Sequence, residues 1–169
     1  MPSPNIPRFE TALIYAGTCL FEGTNVSEGR GTAAPFELIG APYIHAERLT
    51  EAMRARKVDG AQFSPAYFRP TASKHQGALC GGVHVHITDR ERYAALDVGI
   101  HLLHAIRELY PDDFIFLPPI KEGGRSFIQL LSGDPRVENP TVRPEDLLNG
   151  YDRESQAFAA FKRQYHLYD

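Results

Sequence analysis

The chain has 169 residues, 43% of them apolar and 23% charged, which is the size and balance of one folded domain and not of a disordered chain. A formal net charge of −3 excludes the strongly basic surface that a nucleic-acid or anionic-membrane binder carries, so no nucleic acid and no membrane is expected as a partner. No apolar run reaches the length of a membrane-spanning helix, and the start, MPSPNIP, lacks the charged and apolar regions of a signal peptide.

The proline-rich start reads as extended. Residues 9–21 read as a helix interrupted near Gly17, because glycine weakens a helix interior. After a polar loop, PFELIGAPYI (35–44) reads as a strand bounded by proline. An amphipathic helix follows, with Ala46, Leu49 and Met53 on one face and Glu47, Glu51 and Arg54 elsewhere. GAQFSPAYFRP (60–70) predicts a second strand with an irregularity at Pro65, since proline cannot donate to a ladder. GGVHVHITD (81–89) is the clearest strand: Val83, Val85 and Ile87 alternate with His84, His86 and Thr88. Residues 94–110 predict the strongest helix, stopped by Pro111, with Val98, Leu102, Leu103, Ile106 and Leu109 on its apolar face. Pro144 and Gly150 flank EDLLN as a helix-start proline and a helix-end glycine, and a separate closing helix presents Phe158, Phe161 and Tyr165 on one side. The short alternating units predict an α/β (or α+β) class: a small mixed sheet with helices packed on it, one domain over 1–169. Val83, Val85 and Ile87 are expected to be buried against Leu102, Leu103 and Ile106.

Three groups of residues could carry chemistry. FEGTNVSEGRGT (21–32) holds more hydrogen-bonding capacity than a turn needs. Gly23, Gly29 and Gly31 permit left-handed backbone and close approach of a ligand. Glu22 and Glu28 supply carboxylates, Arg30 a planar fork for an anion, and Asn25 a donor and an acceptor. No Gly-Lys-Ser/Thr closes the loop, so it is not a phosphate-binding P-loop. An ordinary structured loop remains an equal reading of it. His75, His84 and His86 form a second group that would suit zinc if they converged, although half-buried polar strand residues give the same pattern. Asp97, His101, His104 and Glu108 form a third, at helical spacing, which a helix face turned to water would equally produce. Cys19 and Cys80 are too few for a disulfide scaffold and read as two buried thiols or one bridge. The aromatics Phe21, Tyr43, Tyr67 and Phe68 border these segments as core residues or sugar-stacking rings.

PSPNIP, ETALIYAGTCLFEGTNVSEGRGT, PFELIGAPYI, the SKH of Ser73 to His75, and CGGVHVHITDR resemble the C-terminal half of the DUF1343 family, which includes exo-β-N-acetylmuramidases of the NamZ type. The resemblance covers nearly the whole chain. GTNVSEGRGT with the downstream SKH and GGxxxHxTD is its most specific part; the family's common YPGTC is YAGTC here, with Ala16. It implies part of a glycoside hydrolase that releases terminal N-acetylmuramic acid from peptidoglycan fragments, without a cofactor or metal, and periplasmic or secreted in bacteria at full length. Members are about twice this length, with an N-terminal Rossmann-like domain and a cleft between the halves. The implied partners are therefore a muramic-acid-containing saccharide and that N-terminal domain, in cis or in trans, and little activity is expected of this chain alone.

Glycoside hydrolysis works with a pair of carboxyl groups at the scissile bond, which makes Glu28 and Glu22 the candidate catalytic residues. Glu28, mid-loop beside Gly29, is given the chemistry, and Glu22 a structural duty at the loop entry. Thr24, Asn25, Ser27, Arg30, Lys74, His75 and His86 are the candidate substrate-binding residues, with Arg30 or Lys74 set against the lactyl carboxylate of muramic acid. His75 and His86 are expected on the side of the 21–32 loop. Two other readings stand beside this one: a non-catalytic peptidoglycan- or sugar-binding module, and a metal-dependent hydrolase using His75, His84 and His86.

Overall fold

A computed structural model describes residues 3–168; Met1, Pro2 and Asp169, and with them the first residues of the expected extended start, lie outside the described residues. Three strands, β1 (Leu38–Ala41), β2 (Ala61–Phe68) and β3 (Cys80–Ile87), form one sheet in the order β1-β3-β2. Five α-helices accompany them among the described residues: α1 (Phe9–Thr18), α2 (Ala46–Arg56), α3 (Ala95–Leu109), α4 (Phe127–Ser132) and α5 (Pro144–Lys162). Helices packed on a small sheet are the class the sequence predicts. The expected mixed pairing is corrected in one respect: both strand pairs are antiparallel. β3 runs back beside β2 after a connection of residues 69–79, which carries no helix, whereas a parallel pair needs a crossover.

β3 is central because its alternation serves two environments. Val83 and Val85 are buried on one face, while His84 and His86 stay half-buried on the other. Pro65 causes no irregularity and pairs in register with Val83. β2 is an edge strand, and an edge leaves some N–H groups without a ladder partner, which is where proline fits.

α2 packs on β2 and β3, and α3 packs chiefly on α1 and α2. Val83, Val85, Leu102, Leu103 and Ile106 share one buried cluster with Leu49 and Met53 of α2; Ile87 is only partly buried at its edge. Each fully buried Leu or Ile in such a cluster contributes about 1.5–3 kcal/mol relative to exposure.

Two glycine readings are corrected. Gly17 does not interrupt α1: a Cβ there would overlap the Ala95 carbonyl, and one on Gly99 would overlap the Gly17 carbonyl. The pair lets α1 and α3 cross backbone to backbone. Gly150 does not end a helix either. α5 runs through it as a single helix, and the Arg136 guanidinium lies against the glycine, 3.4 Å from where a Cβ would stand.

Candidate functional site

After α1 the chain tightens into a 3₁₀ turn at Cys19–Gly23 and then enters the polar loop. Much of the loop's hydrogen-bonding capacity is used internally. Thr24 is buried; its hydroxyl donates to Phe21 O and accepts from Val26 N. Ser27 is buried too, bridging to Gly40 of β1 through both backbone groups while its hydroxyl accepts from Gly29 N at 3.1 Å. The Asn25 amide donates to Asp113 O and accepts from Ile115 N and the Tyr43 hydroxyl. These three candidate substrate-binding side chains thus have partners within the protein. Gly29 and Gly31 sit at φ of +75° and +78°, where a side chain would be strained, and a Cβ on Gly31 would overlap the backbone of Ala72.

The second wall comes from residues 71–75. Thr71 donates to Gly31 O through both its N–H and its hydroxyl. Ser73 and His75 both have positive φ, an arrangement that non-glycine residues keep only when their surroundings over-determine it. Between them Lys74 is driven into the loop, where Nζ donates to Phe21 O at 2.7 Å, Val26 O at 3.1 Å and Glu28 Oε2 at 2.9 Å. Those three bonds use all three ammonium donors. Burial lowers the Lys74 pKa, and the Glu28 charge opposes that shift. His75 Nε2 lies 2.7 Å from Asn25 O; a carbonyl can only accept, so that nitrogen carries the proton.

Glu28 and Glu22 differ in access. Glu28 is 2% exposed, its Oε2 taken by Lys74 and its Oε1 by Arg30 Nε at 3.1 Å. The Glu22 side chain is 20% exposed and is paired with Arg30 Nη2 through Oε1 at 2.7 Å. Among the described residues neither Glu22 Oε2 nor Arg30 Nη1 has a hydrogen-bond partner. The guanidinium also lies over Phe36, 4.9 Å from the ring centroid, and Tyr15 of α1 meets the same ring edge-on at 4.7 Å. Phe36 holds a left-handed φ of 64°, a further strained position beside the charges. Tyr15 and Phe36 went unnoticed in the sequence, where nothing brings a helix tyrosine and a strand-entry phenylalanine together.

His86 lies apart from this group. Its Nε2 is 2.8 Å from Ser64 Oγ, and its ring is 4.2 Å from that of His84. His84 faces Glu37, a buried carboxylate also bound by Arg8 and Thr11. Burial works against charge on Glu37, but hydrogen bonds from His84 and Thr11 and the Arg8 charge outweigh it and lower its pKa. Glu37 is a third residue sequence reasoning missed, since it stands inside an apolar run. Because His75 binds the loop while His84 and His86 belong to the Glu37 group, the three imidazoles do not form one ligand set. No three His, Cys, Asp or Glu among the described residues are grouped to hold a metal ion.

The Asp97, His101, His104 and Glu108 stripe does not simply face water, as the polar-face reading had it. α5 packs against α3, His104 is 2% exposed, and its Nδ1 accepts from Arg107 at 3.0 Å. Cys19 and Cys80 are free thiols, partly and fully buried, and burial raises both pKa values.

A family described as the C-terminal part of exo-β-N-acetylmuramidase NamZ matches residues 13–168. A relative from Bacillus subtilis strain 168, described as peptidoglycan β-N-acetylmuramidase NamZ, is 42% identical over 171 aligned positions, covering 99% of this chain and 40% of the relative. A DUF1343 family protein of known crystal structure from Bacteroides fragilis superposes with a TM-score of 0.84 at 26% identity, covering 99% of this chain and 44% of that one. A second from the same organism, at 23% identity and a TM-score of 0.65, shares the fold. The chain therefore spans less than half the length of each of these relatives.

Proposed function

The chain belongs to the NamZ C-terminal family, and from that premise we propose that it is the C-terminal half of a glycosidase releasing terminal N-acetylmuramic acid from peptidoglycan fragments. The observation that carries this reading is the Glu22–Arg30 pair, in which one carboxylate oxygen and one guanidinium nitrogen remain open beside a rigidly held loop. In glycoside hydrolysis one carboxyl protonates the leaving oxygen and another acts as base or nucleophile. We assign one of these roles to Glu22, whose Oε2 is free to meet a substrate. Glu28, with both oxygens bound to cations, is the scaffold that holds Arg30 and Lys74. The roles given to the two glutamates from sequence are thereby exchanged.

Arg30 Nη1 is the donor for the lactyl carboxylate, and the half-exposed Tyr15 ring is an apolar wall for the sugar face. Lys74 clamps the loop from within, as do Thr24, Ser27 and Asn25 through their internal bonds. His75 orients the loop backbone, and His86 acts outside the site. The second carboxyl is assigned to the N-terminal domain of the longer relatives, joined in cis or in trans. The test is a chimera carrying the N-terminal part of the Bacillus relative ahead of this chain, assayed on a chromogenic muramic-acid glycoside. Glu22→Gln should lower kcat by about 10²–10⁴-fold without loss of fold. Near-normal turnover in that variant would overturn the assignment. Sugar binding without any turnover in the unsubstituted chimera would favour the binding-module reading.

A further inference from the structure

α5 changes character half-way along. Leu147 and Gly150 are buried against the domain, but every residue from Asp152 to Tyr168 is exposed. On that free half and the 3₁₀ turn that continues it (Arg163–Tyr165), Phe158, Phe161 and Tyr165 are 61%, 56% and 66% exposed, at spacings of three and four residues that place them on one side. Their rings touch in sequence, with centroids 6.3 Å and 5.6 Å apart. A few helical turns without tertiary packing are marginal in water, and an aromatic stripe of this kind is ordinarily covered. The family match runs to residue 168, so the exposed half belongs to the shared domain and is not an appended tail.

We propose that this aromatic face docks the N-terminal half carried by NamZ-type relatives, making α5 the strut between the two halves. The proposal rests on the reading that the chain works with such a half. Two observations select this occupant: the relatives carry more than half of their length outside the region matched here, and the family match includes the uncovered helix face. Lys162 and Arg163 at the end of α5 fit a receiving surface that is apolar with an acidic rim.

Hydrogen exchange tests this in three proteins: the isolated chain, the full-length Bacillus relative, and the chimera of its N-terminal part with this chain. Residues 152–168 should exchange rapidly in the isolated chain. The same helix should be protected on the order of 100-fold in the two longer proteins. Phe158→Glu with Phe161→Glu should abolish that protection in the chimera while leaving the melting temperature of the isolated chain unchanged. Rapid exchange of this helix in the full-length relative would overturn the proposal. So would protection in the isolated chain that grows with concentration and vanishes in the double variant, since the occupant would then be a second copy. A chimera with a protected helix but no release of muramic acid would overturn the glycosidase reading and leave the docking intact; an active chimera with an unprotected helix would do the reverse.

Discussion

At the scale of single residues, the two glutamates of the loop are separated by what surrounds each carboxylate. Glu28 sits between Lys74 and Arg30 and is closed to solvent. Removing its charge leaves the Lys74 ammonium buried and undercompensated, and breaking such a pair is far more costly than the pair is worth. Glu28→Gln should therefore destabilise the isolated chain by about 3 kcal/mol, read from urea denaturation. Glu22 keeps one oxygen free and is partly exposed. Its Gln variant should change stability by less than about 1 kcal/mol, so that the two substitutions separate scaffold from chemistry. Equal destabilisation by both would remove that distinction.

At the scale of elements, the α1–α3 crossing and the α3–α5 contact each carry a prediction. Gly17→Ala would gain about 1 kcal/mol in helix propensity if α1 stood alone. Here the added methyl meets the Ala95 carbonyl, which backbone cannot yield cheaply. The overpacking cost dominates, and a net loss of about 2 kcal/mol is expected in thermal or urea unfolding; a stabilised variant would show that the helices can separate without penalty. In α3, burial first, and then the charges of Arg107 and Arg56, lower the His104 pKa from 6.5 to about 4, with a weaker opposing pull from Glu145. The Arg107 donor at Nδ1 fits the neutral ring. The unfolded chain takes up a proton near pH 6.5 that the folded chain refuses until about pH 4. The contribution is thus complete above pH 6.5 and is lost as pH falls through that window, up to about 3 kcal/mol at 1.36 kcal/mol per unit. His104→Asn should flatten the pH dependence of the urea midpoint between pH 4 and 6.5. An unchanged slope would mean that other groups set it.

At the scale of the whole molecule, the chain offers one well-held loop and one uncovered helix, while its relatives are more than twice as long. Catalytic groups must be placed to within about an ångström, and on the proposed reading the carboxyl that works with Glu22 lies in the other half. The isolated chain should therefore release no measurable muramic acid from a chromogenic glycoside, and the chimera should. Robust release by the isolated chain would place both carboxyls within it and return Glu28 to consideration.

The sequence by itself determined the class of fold, most of the helices and strands, and the family. Those follow from local periods: two along β3, 3.6 along α2 and α3, and an unbroken motif at GTNVSEGRGT. It also singled out residues 21–32 and Ser73 to His75, two segments that the fold brings into contact through Lys74 and His75. Which carboxylate lies open was not legible, because access depends on Lys74 and Arg30 converging from different segments, and no spacing within the chain records that. The same limit explains the glycines: Gly17 and Gly150 look like helix breakers alone, and only the neighbouring Ala95 carbonyl and Arg136 side chain turn them into contact points. The motif pointed His86 to the loop, whereas its ring meets Ser64 diagonally across the strand pair, beside its register partner Gln62, a contact that exists only once β2 lies beside β3. Periodicity fixes which face of an element is apolar; packing alone decides what each polar group meets there.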